Sequence, residues 1–139
     1  MSAKTFIDTN ILVYAHDQDE REKREIAVAR IIHLVESRTL ALSPQVLQEF
    51  YMAVTRKITQ PLPQRLARQI IEDLGTWCTT TGPGEIATSF RIEDDSRINF
   101  WDALICASAL KAGAQTILSE DLNSGQLIAG IRIENPFLT

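Results

Sequence analysis

Cysteine and histidine are scarce in this chain, with two residues of each among 139. Cys78 and Cys106 stand far apart and form no Cys-x-x-Cys pair, and neither His16 nor His33 has a second ligand at zinc-binding spacing. The sequence therefore offers no zinc signature and no disulfide framework, and free thiols in a cytoplasmic protein are the expectation. A Gly-x-x-x-x-Gly-Lys loop is also missing, so ATP is not implied. The longest apolar stretches fall far short of the roughly 20 residues that span a bilayer. Met1-Ser2-Ala3-Lys4 leads straight into a strand-like run, without the apolar segment of a signal peptide.

What is present looks like an ordinary globular composition, 45% hydrophobic and 23% charged. Residues 1–139 read as one domain, long enough to bury most of a core. The formal net charge of −4 argues mildly against a passive nucleic-acid binder, which normally shows a basic face. A cluster of active-site acids would give the same sign, and metal ions would reverse the field locally. Charge does not decide the matter.

Along the chain, residues 4–7 read as a buried strand, and Asp8-Thr9-Asn10 are good capping residues for a short helix over 11–15. A charged stretch then feeds a helix to about residue 36, with Val28, Ile31, Ile32 and Val35 at helical spacing. Residues 39–42 are β-like. Ser43-Pro44 supplies an N-cap followed by proline for a helix to about residue 57, burying Leu47, Phe50 or Tyr51, and Val54. After the break at Pro61 and Pro63, a third helix places Leu66, Ile70, Leu74 and Trp77 inward, with Arg68 and Glu72 paired at i,i+4. Residues 79–84 are loop-like, and 85–94 alternate ambiguously but read as helix. A buried helix over 99–112 stops at Gly113, and strands follow at 115–118 and 131–134. Strands alternating with helices predict an α/β sandwich around a largely parallel sheet.

Four acids stand out. Asp8, Glu49, Asp102 and Asp121 lie beside apolar sequence with no basic partner close by. A lone buried carboxylate is costly. Like charges about 5 Å apart repel by roughly 3 kcal/mol at an effective dielectric of about 20, so a gathered quartet calls for a divalent cation. Each acid also has a bland reading: Asp8 as an N-cap, Asp102 three residues after an Asn99 cap, Asp121 in a turn, Glu49 on a solvated helix face. Asp8 and Asp121 nonetheless both follow strands, at the carboxyl ends where open α/β sheets form ligand sites.

Taken in order, Phe6-Ile7-Asp8-Thr9-Asn10, Gln48-Glu49-Phe50, Phe100-Trp101-Asp102-Ala103-Leu104-Ile105 and Leu118-Ser119-Glu120-Asp121-Leu122 resemble the PIN-domain ribonucleases. The likeness is strongest to the VapC-like toxins of type II toxin–antitoxin pairs, and Ile133-Glu134-Asn135-Pro136-Phe137 is similar to the family's ending. Nearly the whole chain is covered. The resemblance implies a three-layer PIN-like sandwich, with a central sheet flanked by helices. It makes Asp8, Glu49, Asp102 and Asp121 the catalytic and metal-binding acids, Ser119 the small hydroxyl two positions before the last acid, and Asn10 a partner for Asp8. One departure bears on the site: family members often carry a further acid shortly after the last one, whereas Asn123 follows here; Glu120 also adjoins Asp121, leaving two candidates for the fourth ligand.

Phosphodiester hydrolysis needs an activated water, an in-line approach and relief of developing charge, all within reach of Mg²⁺ or Mn²⁺ on oxygen ligands. On this reading Asp8 and Asp102 form the primary metal site, Asp121 supports it, and Glu49 binds a second metal or orients water. The resemblance further implies endonucleolytic cleavage of RNA to a 5′-phosphate and a 3′-hydroxyl, inhibition by a small cognate antitoxin, and a homodimer. Arg56, Lys57, Arg65 and Arg68 flank the proline break as candidate phosphate contacts, against the commoner reading of a solvated face. His33 and Cys106 read as structural. Alternatives are a non-catalytic PIN-like interaction module, a DNA-directed 5′-nuclease-like enzyme, and a response-regulator-like phosphoacceptor. The last fits poorly, because Asp8 has no adjacent acid and no lysine ends the late strand.

Overall fold

The computed structural model describes residues 3–138. Strand β1, Lys4–Ile7, buries Phe6 and Ile7 completely. Asp8 stops it, because its carboxylate accepts from Thr9 N and caps helix α1, Thr9–Tyr14. Helix α2, Arg21–Glu36, leads to β2, Leu40–Ala41. Its buried face differs from the expected one: Ala27 and Leu34 are buried, Ile31 and Val35 pack beside them, and Ile32 is half exposed.

Helix α3, Pro44–Met52, has proline in its first turn and Ser43 as its N-cap. The serine makes no capping hydrogen bond, contrary to expectation; its hydroxyl is buried and unpartnered. The helix reaches Lys57 through a wider π-helical turn, Ala53–Lys57. Val46, Phe50 and Val54, each four positions from the next, are fully buried.

In α4, Gln64–Leu74, the expected inward Leu66 is exposed and Ala67 is buried instead. A small side chain lets the helix approach closely, and that rotates the large leucine to the fringe. Trp77 lies beyond the helix in a short 3₁₀ turn, Gly75–Trp77. Arg68 does not pair with Glu72; its Nε donates to the Tyr51 hydroxyl at 3.3 Å. Helix α5, Pro83–Ser96, resolves the ambiguous segment as helix. Helix α6, Phe100–Ala112, is capped by Asn99 and ends at Gly113, whose φ of 78° suits glycine.

Strands β3, Ala114–Leu118, β4, Leu127–Ile128, and β5, Ile131–Glu134, complete a sheet ordered β2-β1-β3-β5-β4. Only the β4–β5 pairing is antiparallel. From β1 the chain crosses outward to β2, then returns past β1 to β3. Right-handed crossovers in opposite directions place the connecting helices on opposite faces. Helix α2 meets β2, whereas α6 packs on β1 and β3. The order reverses between β1 and β3, so a crevice opens at their carboxyl ends. Among the described residues no helix is long and apolar enough to cross a membrane.

Candidate active site

The crevice between β1 and β3 is floored by Asp8, only 6% exposed. Its Oδ1 accepts from Thr9 N at 2.7 Å, and its Oδ2 accepts from Ser119 Oγ at 2.8 Å. No cation reaches it among the described residues. Burial pushes its pKa up to about 6 against the pull of those hydrogen bonds, and the charges of Asp121 and Asp102 add to the rise.

Strand β3 supplies the opposite wall. Ser119, fully buried just after the strand, spends its single proton on Asp8 and accepts from Asp121 N at 3.1 Å. Asn10 closes the ring: Nδ2 donates to Asp121 Oδ2 at 3.0 Å, and Oδ1 accepts from Glu120 N at 3.1 Å. That backbone donor fixes which way the amide points. Glu120 and Asp121 now separate clearly. Glu120 turns toward Tyr14 and Lys23, each bonding it at 2.5 Å. Burial alone would raise its carboxyl, but those two partners hold it below the usual range. Asp121 is exposed to the crevice.

Asp102 sits in the first turn of α6, where Asn99 caps its backbone N–H and donates to its Oδ2, both at 2.9 Å. The capping and functional placements thus coincide. Partial burial raises its carboxyl, with help from Asp121 and Glu49. Glu49 projects from α3 beside buried Phe50; its Oε1 accepts from Thr9 Oγ at 2.6 Å and its Oε2 from Gln45 Nε2 at 3.3 Å. Gln45 also donates to the Trp101 carbonyl at 3.3 Å, tying α3 to the start of α6. Behind the acids, burial and the nearby Asp8 and Asp102 push the Cys106 thiol up to about 12, so it stays protonated.

All four predicted acids, with Asn10 and Ser119, therefore meet at one end of the sheet. A cleft of about 630 Å³ adjoins them, lined by Thr9, Asn10, Tyr14, Glu49, Met52, Lys57 and Asp121 among others. Of the four predicted basic contacts only Lys57 reaches this lining; Arg68 rests on Tyr51, and Arg56 and Arg65 are exposed elsewhere. Thr9 and Tyr14 line the cleft without having been expected there, and Lys23 holds the neighbouring Glu120. Thr9 carries a sequence signal in its place next to Asp8; Tyr14 and Lys23 carry none, because their partner Glu120 is distant along the chain.

The donor set is all oxygen, which suits Mg²⁺ or Mn²⁺ rather than zinc. Among the described residues, no three of His, Cys, Asp and Glu stand close enough to grip an ion unaided. Carboxylates repelling one another are expected to stand apart, and Mg²⁺ retains several waters through which they can bind. The donor chemistry, though not a preformed cage, is that of such an ion.

An open α/β sheet with acids gathered at its switch point defines a class, and the sequence places the chain within it. Residues 5–126 match the PIN domain, and the protein belongs to that family. Among solved structures it is similar to VapBC2 from Rickettsia felis bound to a DNA fragment from their promoter, with a TM-score of 0.63 and 18% identity. The likeness covers 94% of this chain and 97% of that one, and at this identity it shows a shared fold. No curated protein matches the sequence.

Proposed function

We propose that this PIN-domain protein is a metal-dependent endoribonuclease acting as the toxin of a toxin–antitoxin pair. The observation that carries the reading is Asp8, a buried carboxylate with no cation paired to it among the described residues, lying in the fields of Asp121 and Asp102. Folding that arrangement costs stability, which a bound cation would return.

Asp8, Asp102 and Asp121 would hold Mg²⁺ or Mn²⁺, with Glu49 beside them. When bound, such an ion supplies an activated water and stabilises the charge developing on the phosphate. Ser119 and Asn10 keep Asp8 and Asp121 aimed into the crevice. Thr9 and Gln45 hold both oxygens of Glu49, leaving it to orient a water or a second ion. Lys57 would meet a substrate phosphate at the cleft edge. The resemblance to VapC-like toxins favours RNA over DNA as substrate.

The same likeness favours a homodimer in the cytoplasm and a small antitoxin. The structural neighbour from Rickettsia felis is itself a VapBC2 assembly on promoter DNA. An antitoxin segment would place a basic residue, arginine for preference, over the acids, where it would neutralise them and compete with metal. Exposed Met52 beside Ala53 and Val13 offers it an apolar wall.

The direct test is Asp8→Asn, which keeps size and capping ability but removes the charge. Cleavage of RNA in Mg²⁺ or Mn²⁺ should fall by at least 100-fold, while circular dichroism shows an unchanged fold. Undiminished cleavage by the folded variant would remove Asp8 from the chemistry.

A further inference from the structure

The amino end of the sheet has a different character. Two adjoining depressions of about 470 and 550 Å³ share Lys4, Arg38 and Ala112. The first also takes in Lys111 and the threonines Thr76, Thr79 and Thr80. No aspartate or glutamate lines either one, although the chain holds 18 of them. Lys4, Arg38 and Lys111 are exposed, and none has an ion-pair partner among the described residues. The cations come from three separate elements: the start of β1, the turn after α2, and the last turn of α6.

Helix ends account for part of this, since cations past α2 and on the last turn of α6 suit the negative ends of helix dipoles. They do not explain Lys4, the three hydroxyls, or the lack of any acid. Arg38 also holds a left-handed backbone with φ 59°, a position where glycine would be unstrained. The paired depressions form an open track rather than a closed pocket for one ion, which suits a chain of phosphates.

We infer that this cationic track binds the phosphate backbone of RNA at a distance from the acids. The inference rests on the ribonuclease reading above and extends it to substrate class: an RNA long enough to touch both ends of the sheet. Lys4 opens β1 and Asp8 follows its end, so the two are separated by about 13 Å at roughly 3.3 Å per residue. A dinucleotide held at the acids would not feel the track; a longer strand would.

The experiment uses a fluorescein-labelled 20-nucleotide oligouridylate and full-length protein carrying Asp8→Asn, so that binding is read without cleavage. Adding Lys4→Glu and Lys111→Glu should weaken binding at least tenfold at low salt. It should also flatten the slope of log affinity against log salt by about 0.7 for each phosphate the variant no longer neutralises. Lys4→Ala with Lys111→Ala should show the same trend, smaller, should charge reversal perturb folding. With Asp8 intact, the variants should raise KM for the 20-mer and leave hydrolysis of the dinucleotide UpU unchanged. Unaltered affinity and salt slope would overturn the inference. So would an equal loss of activity on UpU, or variants that bind RNA normally and fail only to bind an acidic protein. Binding through the track by a protein that cleaves nothing would instead sink the nuclease reading and leave the track standing.

Discussion

Asp8 is held ready for charge by two good donors, yet burial opposes that charge. Its folded pKa of about 6 lies above the ordinary carboxyl value of 3.8, so between them the folded state binds more protons than the unfolded state. The metal-free protein should therefore lose stability as pH rises from 4 through 6, by about 3 kcal/mol from this group, and then level off. Urea unfolding in EDTA from pH 4 to 8 measures this, and Asp8→Asn should lack the Asp8 share of the loss. A wild-type curve parallel to that of the variant would show Asp8 unperturbed. At this scale the sequence was informative only through the set: each acid had a bland reading of its own, and the ordered motifs around Asp8, Glu49, Asp102 and Asp121 singled the four out together. Hydrogen bonds bridging a hundred residues, such as Lys23 to Glu120, leave no local trace.

Helices α3 and α6 show how an element carries a site. In α3 and the π-helical turn that extends it, Val46, Phe50 and Val54 anchor one stripe in the core, and Glu49, next to the largest of them, is thereby fixed at the cleft rim. Phe50→Ala should cost about 3–5 kcal/mol by chemical denaturation and loosen Glu49 with it. A loss below about 1 kcal/mol, the size of an ordinary substitution, would mean that the helix is held by something other than this stripe. Helix α6 was legible because a long, mostly apolar run stops at Gly113, and β1 and β3 because short β-like runs end at Ile7 and Leu118. The face of α4 was legible except at its start: Ile70, Leu74 and Trp77 pack against the core as expected, but spacing alone cannot tell Leu66 from Ala67 as the contact when close approach favours the smaller. The π-helical turn left no composition signal either, and two-residue β4 is too short to show a period.

At the scale of the whole molecule, the strand order decides where chemistry can occur. The reversal between β1 and β3 brings together residues as far apart in sequence as Asp8 and Asp121. If a cognate antitoxin lies over that crevice, co-expression with the small neighbouring reading frame should yield a stable complex with suppressed RNase activity. Replacing the antitoxin's arginine by alanine should restore much of the activity. Failure of the two proteins to co-purify, with RNase activity unabated, would count against the toxin role and leave the nuclease role intact. The chain's two tryptophans happen to mark opposite ends of the sheet. Trp101 is 61% exposed and precedes Asp102, while Trp77 lines the cationic track. The protein thus carries one native fluorophore at each end, and Trp77→Phe or Trp101→Phe leaves a single emitter. Quenching by Mn²⁺ would then be read from Trp101 and the approach of a nucleobase to the track from Trp77, with no label attached.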